Sequence, residues 1–210
     1  MKERGILFGS SMVRALLAGA KTQTRRIYKP RYPSPYETVE DGIPYQCDDS
    51  GIYRVRTEPY GLPGDRLWCR EAWRTAACMD KDNAAKIVEL AKEAGYTDAW
   101  APIEYSADGQ RRDWEASWYG AGRQRLARFM PRWASRITLE VTEVRVQRLR
   151  SISEEDARAE GVEADKTPGL APIRATSVYA ELWDSINGAG SWASNPFVWA
   201  ISFRRIVDAR

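Results

Sequence analysis

The chain has 210 residues, 43% of them hydrophobic, which suffices for one domain with a real core, or for one domain that carries an insertion. Its formal charge of +3 permits a nucleic-acid partner without requiring one. The chain has no histidine, which excludes histidine triads and histidine-ligated zinc sites, so any acid–base chemistry must use other side chains.

The cysteines and the hydropathy pattern indicate a cytoplasmic protein. Cys47, Cys69 and Cys78 show no CxxC spacing, and an odd number of cysteines fits a reducing compartment. We therefore expect neither a structural zinc nor a disulfide framework, and no metal or other cofactor. The N-terminus lacks a signal-peptide pattern and no apolar run is long enough to span a bilayer, so no membrane partner is expected.

The first distinctive stretch is a short helix followed by cations. Apolar residues recur at helical spacing from Met12 to Leu17, and Gly19 suits the helix end. Lys21, Arg25 and Arg26 follow. Because Lys21 lies just past the helix, we expect it not to be a core residue.

Two interpretations of this stretch remain open. A run of Lys and Arg is usually a solvated face or a protected strand edge. Alternatively, Thr24 is a nucleophile and Lys21 is the base that activates it, if burial and the neighbouring arginines lower the lysine pKa. Strict strand alternation would place Lys21 and Thr24 on opposite faces, whereas a turn-like path would bring them together.

The pattern Gly19-x-Lys21-x-x-Thr24-x-Arg26 after an amphipathic helix resembles the start of an ASCH domain, a relative of the PUA-like RNA-binding barrels. The chain is similar to the small bacterial acetylcytidine amidohydrolases and to the longer ASCH proteins of phages and prophages. The resemblance covers the two ends of the chain better than its middle. In the amidohydrolase family a Lys-x-x-Thr pair works with a later glutamate.

The segment before residue 75 predicts strands. Residues 43–47 and 52–56 flank a turn and read as a hairpin. A strand over 66–73 would place Glu71 on the same face as its apolar residues. Glu71 is therefore a candidate substrate-binding residue, and the alternative is an ion pair with Arg26 or Arg70.

Residues 75–130 are predicted to be an insertion. A helix is expected from Ala84 to Ala91, ending near Gly95, and residues 96–130 show no clear period and are assigned irregular structure. That part interleaves aromatic and cationic residues, as single-stranded nucleic-acid surfaces do, although such residues also satisfy one another in ordinary loops. The residues concerned are Trp114, Trp118, Arg123, Arg125 and Arg128.

A long strand and a short helix follow. Residues 137–142 alternate, and the alternation resumes at Val144 with a phase slip at Glu143. Ser153 caps a helix that Gly161 ends. Glu160 lies in the last turn, where a negative charge is disfavoured. The resemblance implies that Glu160 is the catalytic glutamate, and the alternative is a surface residue close to Arg158.

The C-terminal part predicts a helix, a loop and a last strand. The helix would be capped by Thr176 or Ser177, and the strand covers residues 197–203. The loop between them carries Trp192, predicted to be an exposed indole, and Asn195. These two side chains are candidates for ligand contact.

The sequence and the resemblance together lead to an α+β fold, in which a small mixed β-barrel of the PUA-like type is flanked by helices, in one domain over residues 1–210 with an insertion at about 75–130. The resemblance implies metal-free hydrolysis of an acylated exocyclic amine of cytosine, with a nucleoside, RNA or DNA as partner. Thr24 would be the nucleophile, Lys21 its base, and Glu160 the proton donor or the group that orients water, while Arg26 would bind the carbonyl oxygen.

Two other functions remain open for the same residues. One is a module that binds RNA or DNA without chemistry, with Lys21 and the arginines on phosphates. The other is a ribonuclease in which Lys21 and Arg26 stabilise the phosphorane.

Overall fold

The computed structural model describes residues 1–29, 37–40, 43–48, 51–54, 59–95, 101–114, 120–162 and 173–206. Trp118, one of the interleaved aromatics, lies outside these ranges. The helices are α1 (Ser10–Leu17), α2 (Ala84–Glu93), α3 (Glu154–Ala159) and α4 (Ala175–Asn187). The strands are β1 (Glu3–Leu7), β2 (Gln23–Ile27), β3 (Glu37–Glu40), β4 (Ile43–Asp48), β5 (Gly51–Arg54), β6 (Arg66–Arg70), β7 (Trp73–Arg74), β8 (Ile103–Tyr105), β9 (Arg111–Arg112), β10 (Thr138–Arg148) and β11 (Phe197–Ile206).

The architecture is mixed α+β, as the sequence predicts. The largest sheet has the strand order β1-β6-β10-β11-β2, and β11 pairs with β2 in antiparallel orientation. Two smaller antiparallel sheets have the orders β3-β4-β5 and β7-β8-β9. The pairing of β4 with β5 confirms the predicted hairpin. Within the described ranges, no helix combines the length and the apolar character that crossing a membrane requires.

The chain divides into two compact units. Unit 1 comprises residues 1–2, 18–66 and 140–205, and unit 2 comprises residues 3–17, 67–139 and 206–210. The predicted insertion at about 75–130 lies wholly within unit 2.

The core of unit 1 forms between α3 and α4. Tyr179 and Trp183 lie one helical turn apart on α4 and are buried against Ala157 of α3. Leu149 and Val198 belong to the same cluster. The predicted phase slip in β10 is confirmed. Val141 and Val146 are both buried although they are an odd number of positions apart, which strict alternation would place on opposite faces.

The start of α4 differs from the sequence prediction. The helix begins at Ala175, and its first N–H groups are capped by a carboxylate from α3 rather than by Thr176 or Ser177. Glu154 accepts hydrogen bonds from the N–H groups of Ala175 and Thr176, at 2.9 and 3.2 Å, and from the Thr176 hydroxyl at 2.5 Å. A local capping rule cannot find a cap that comes from another helix.

The core of unit 2 forms around Trp73, which is fully buried and lies 6.1 Å from Trp133 between ring centroids. Trp73 is paired with Tyr105 across β7 and β8. The assignment of irregular structure to residues 96–130 is therefore wrong at β8 and β9. Ile103 and Tyr105 alternate with Glu104 and are buried, but three residues are too few for the period to be recognised. The helix predicted over 84–91 is confirmed as α2.

We predict that Glu154→Gln lowers the melting temperature at pH 7, because a neutral amide holds the N–H groups of α4 less strongly than a carboxylate. The hydrogen bond from the Thr176 hydroxyl is the largest cause of a lowered Glu154 pKa. A carboxyl whose pKa is lower in the folded state stabilises the fold above its unfolded pKa of about 4.3, and this stabilisation disappears as the pH falls through the folded pKa.

Thermal melts between pH 3 and 7 test this prediction. The melting temperatures of the wild type and of Glu154→Gln should converge at the acidic end. Glu155→Gln is the matched control, because Glu155 is an exposed neighbour in the same helical turn. A difference between wild type and Glu154→Gln that stays constant over this pH range would contradict the proposed cap.

Candidate functional site

The end of α3 and the start of β2 are joined through the backbone of unit 1. The Thr22 N–H donates to the Ala159 carbonyl at 2.8 Å, and Lys21 and Glu160 form an isolated antiparallel bridge. The helix ends here because Gly161 takes a positive φ of 86°, which a glycine adopts without strain. The two segments that the resemblance singles out therefore meet.

Lys21 and Glu160 form a buried ion pair. The Lys21 Nζ donates to Glu160 Oε2 at 2.7 Å and to the Glu160 carbonyl oxygen at 2.8 Å. The two side chains are 1% and 3% exposed. The carbonyl at a helix C-terminus has no partner within the helix, and Lys21 supplies one. The same cation offsets the negative charge that would otherwise be disfavoured at this helix end.

Two further donors meet the other oxygen of the same carboxylate. Arg25 Nη1 donates to Glu160 Oε1 at 3.2 Å, and the Tyr179 hydroxyl donates to that oxygen at 3.3 Å. The guanidinium of Arg25 lies 6.0 Å from the centroid of the Tyr179 ring. Glu160 is thus a buried carboxylate held by two cations and one phenol.

A second carboxylate extends this network toward solvent. Asp156 lies one turn before Glu160 on the same helix face. It accepts from Arg25 Nη2 at 2.7 Å, from Arg145 Nη2 at 2.8 Å and from Gln23 Nε2 at 3.1 Å. We call the set Lys21, Gln23, Arg25, Asp156, Glu160 and Tyr179 the buried polar cluster.

Burial lowers the pKa of Lys21 below its ordinary value, because the ammonium form loses its hydration. The charge and hydrogen bond of Glu160 oppose this shift, while the charges of Arg26 and Arg25 add to it. The net shift of the Lys21 pKa is downward, a direction that the residue types alone do not determine. At a given pH, a larger fraction of Lys21 is therefore in the neutral, proton-accepting form than of an exposed lysine.

The neighbouring groups titrate differently. Burial raises the pKa of Tyr179, and the negative charge of Glu160 raises it further, so this phenol stays a hydrogen-bond donor. Burial alone would raise the pKa of Asp156, but the hydrogen bond from Gln23 and the charges of Arg25 and Arg145 outweigh burial and lower it. Asp156 is therefore an anion at neutral pH.

Thr24 is not among the residues that meet Glu160. It lies in β2 opposite Ile201, and it is buried. The side chains of Gln23 and Arg25 reach the α3 carboxylates, so strand alternation directs Thr24 to the other face of β2. Arg26 is half-buried, and alternation assigns it to the same face as Thr24.

Glu71 lies in unit 2, and its partner is neither Arg26 nor Arg70. It sits between β6 and β7, not within one continuous strand, and its carboxylate is 2% exposed. Arg136 binds it in a bidentate way, with Nε and Nη2 each at 2.9 Å, and also binds Asp108. The prediction of a pair with Arg26 or Arg70 is therefore wrong. The sequence could not indicate Arg136, because it lies 65 residues from Glu71 and no local pattern points to it.

Trp192 and Asn195 both make structural contacts in unit 1. The Trp192 ring is partly buried and lies 6.2 Å from the Tyr179 ring in an edge-on arrangement, so the expected exposed indole is not observed. Asn195 has a positive φ of 47°, and its Oδ1 accepts from the Arg150 N–H at 2.8 Å. Their role in ligand contact stays a prediction.

The sequence does not single out Gln23, Asp156 and Tyr179, and it singles out Arg25 only as a charge beside Lys21. Two signals for them were present. Alternation along residues 21–25 places Lys21, Gln23 and Arg25 on one face, and the i,i+4 spacing of Asp156 and Glu160 places both carboxylates on one helix face. Tyr179 carries no such signal, because its place depends on how α4 packs on α3.

Across the described parts of the chain, no group of three or more Cys, Asp and Glu side chains is arranged to hold a metal ion. The buried polar cluster pairs each carboxylate with cations instead.

Comparisons with protein-family models, curated proteins and solved structures find no match to this chain.

We predict that Lys21→Met destabilises the fold by about 3 kcal/mol, because breaking a buried ion pair leaves a carboxylate with less compensation. This corrects the expectation that Lys21 is not a core residue. In Lys21→Met/Glu160→Gln the loss should be smaller than the sum of the single losses, with a coupling of about 1–3 kcal/mol. Urea denaturation of the four proteins measures this coupling.

Lys86→Met is the matched control, since Lys86 pairs with Glu89 on an exposed helix face of α2. It should leave the free energy of unfolding unchanged within error. Additive losses for the Lys21 and Glu160 substitutions would show that the two residues do not interact in solution.

Proposed function

We propose that this protein is an ASCH-type, PUA-like barrel protein that hydrolyses an acylated exocyclic amine of cytosine, in a nucleoside or in a nucleic acid, without a metal ion. The observation that carries the proposal is the buried Lys21–Glu160 pair, in which burial lowers the lysine pKa. The resemblance of both segments to the ASCH amidohydrolases supplies the reaction and the substrate class.

Amide hydrolysis needs a base for the nucleophile and an acid for the leaving nitrogen. In the proposed reaction, neutral Lys21 takes the proton of the nucleophile as its oxygen attacks the acyl carbon. The 2.7 Å hydrogen bond to Glu160 Oε2 is a direct path for that proton. Glu160 then protonates the cytosine nitrogen as the carbon–nitrogen bond breaks, and a carboxylic acid and the free amine result.

The nucleophile is either the Thr24 hydroxyl, as the resemblance implies, or a water molecule. Alternation in β2 favours water, because it directs the Thr24 side chain away from the face of Lys21. If Thr24 is the nucleophile, an acyl-enzyme forms and water must hydrolyse it in a second step.

The carboxylate contacts of Lys21 and Arg25 favour hydrolysis over the two alternative functions at these residues. A nucleic-acid-binding module or a ribonuclease would use Lys21 and its neighbouring arginines on phosphates, and phosphate contacts come from side chains that reach solvent. Lys21 is 1% exposed and Arg25 is fully buried, and both bind carboxylates of their own chain. The proposed hydrolysis also requires access, so Lys21 and Glu160 would have to become exposed to water and substrate during turnover.

We predict that the protein deacylates N4-acetylcytidine, measured as cytidine release by chromatography, and that activity survives EDTA. Glu160→Gln should lower kcat by about 100-fold or more, the usual contribution of one acid–base group. Lys21→Arg should be equally impaired, because a guanidinium keeps its proton near neutral pH. An active Lys21→Arg protein would refute the lysine as base.

The control for this assay is Glu155→Gln, which alters an exposed carboxylate of α3 outside the buried polar cluster and should keep full kcat. Folding of each variant is checked by its circular dichroism spectrum, so that loss of activity is not confused with unfolding. Absence of turnover by the wild type on both the nucleoside and an acetylated oligonucleotide would refute the proposed function.

Thr24→Val separates the two nucleophiles, because valine keeps the shape of threonine without its hydroxyl. We predict that this variant retains kcat within about tenfold of wild type, as water attack requires, given that removing a true nucleophile costs far more. Mass spectrometry of the wild type during turnover checks the same point, since an acyl adduct on Thr24 would favour the hydroxyl.

A further inference from the structure

Unit 2 contains an open cleft that the proposed hydrolysis does not use. Its volume is about 670 Å³, within the range of small-molecule and cofactor pockets. Two segments line it, residues 81–85 at the start of α2 and residues 123–126 with Phe129. The second segment contains Arg123 and Arg125, two of the interleaved cations that the sequence singles out.

The charged side chains of the cleft are mostly cations. Lys81, Arg123 and Arg125 line it together with one carboxylate, Asp82. Lys81 and Arg123 form no ion pair with a carboxylate in the portion of the chain that the structure describes. Unlike the cations of the buried polar cluster, these two are exposed and open to an anionic ligand.

The rim of the cleft is apolar and exposed. Phe129 is 60% exposed and Leu126 is 52% exposed, although both are large hydrophobic side chains. The guanidinium of Arg128 lies 4.9 Å from the centroid of the Phe129 ring. An accessible aromatic ring beside a planar cation is the arrangement on which nucleic-acid bases stack.

The floor of the cleft is held in place without a ligand. Arg125 donates to the carbonyl oxygens of Met79 and Asp82 at 2.6 and 2.7 Å, and its guanidinium lies 5.3 Å from the centroid of the buried Trp73 ring. The Arg123 N–H donates to both oxygens of Asp80. Binding therefore requires little ordering of the backbone, which favours affinity.

We propose that this cleft binds a short segment of single-stranded nucleic acid, with phosphates on Lys81 and Arg123 and a base stacked on Phe129. The excess of cations over carboxylates provides charge complementarity to phosphates. Stacking of a base would explain why the apolar side chain of Phe129 is exposed to water. The inference goes beyond the proposed hydrolysis and stands without it.

Fluorescence anisotropy of the full chain with labelled dT12 and U12 tests the proposal at several salt concentrations. We expect binding to at least one oligonucleotide, and its preference between the two distinguishes DNA from RNA. Phe129→Ala should weaken binding about fivefold or more, the usual effect of losing one stacked base. Lys81→Ala/Arg123→Ala should reduce the slope of log K against log salt by about 1.4, or about 0.7 for each cation.

Matched controls change the same chemistry away from the cleft. Lys86→Ala/Lys92→Ala removes two cations from α2, and Ile186→Ala truncates an exposed apolar side chain of unit 1; both should bind like the wild type. Wild-type affinity in Phe129→Ala, or competition by polyglutamate as strong as by unlabelled oligonucleotide, would overturn the proposal. These measurements need no turnover, so they stand apart from the hydrolysis assay.

Discussion

The constraint on which the described part of unit 1 depends is the burial of Glu160 at the end of a short helix. A carboxylate away from water is costly unless several donors replace its hydration, and the C-terminal end of a helix disfavours negative charge. Lys21, Arg25 and Tyr179 provide those donors, and each comes from a segment that must lie against α3 to do so. The backbone bridge between Lys21 and Glu160 and the packing of α4 on α3 therefore satisfy one electrostatic requirement.

Unit 2 meets a similar requirement with a different solution. Glu71 is as buried as Glu160, but its one cation is Arg136, whose planar guanidinium binds both oxygens and also Asp108. Burial raises the Glu71 pKa although Arg136 opposes it. A guanidinium keeps its proton, so this pair fixes geometry without taking part in proton exchange. Lysine can exchange a proton under burial, and for this reason the proposed hydrolysis gives the acid–base role to the Lys21–Glu160 pair.

The elements with strong local signals were predictable from the sequence, and those set by distant contacts were not. The period of α2, the Ser153 cap of α3 and the phase slip in β10 are each encoded within about ten residues, and all are found. Arg136 with Glu71 and Glu154 with α4 join segments far apart in sequence. Of the candidate site, the resemblance implies the meeting of Lys21 with Glu160, and strand alternation predicts the face that Lys21 shares with Arg25, whereas the place of Tyr179 requires coordinates.

The exposure of cations separates the two chemistries that this mildly basic chain supports. Arg25 is enclosed by carboxylates of its own chain, so a phosphate would have to displace ion pairs that are already desolvated. Lys81 and Arg123 are exposed, and exposed cations can meet a phosphate by releasing counterions without first breaking a buried ion pair. Net charge alone cannot distinguish these cases. The distribution of burial does distinguish them, because the cations at Glu160 are enclosed by carboxylates whereas Lys81 and Arg123 in the cleft beside α2 are exposed.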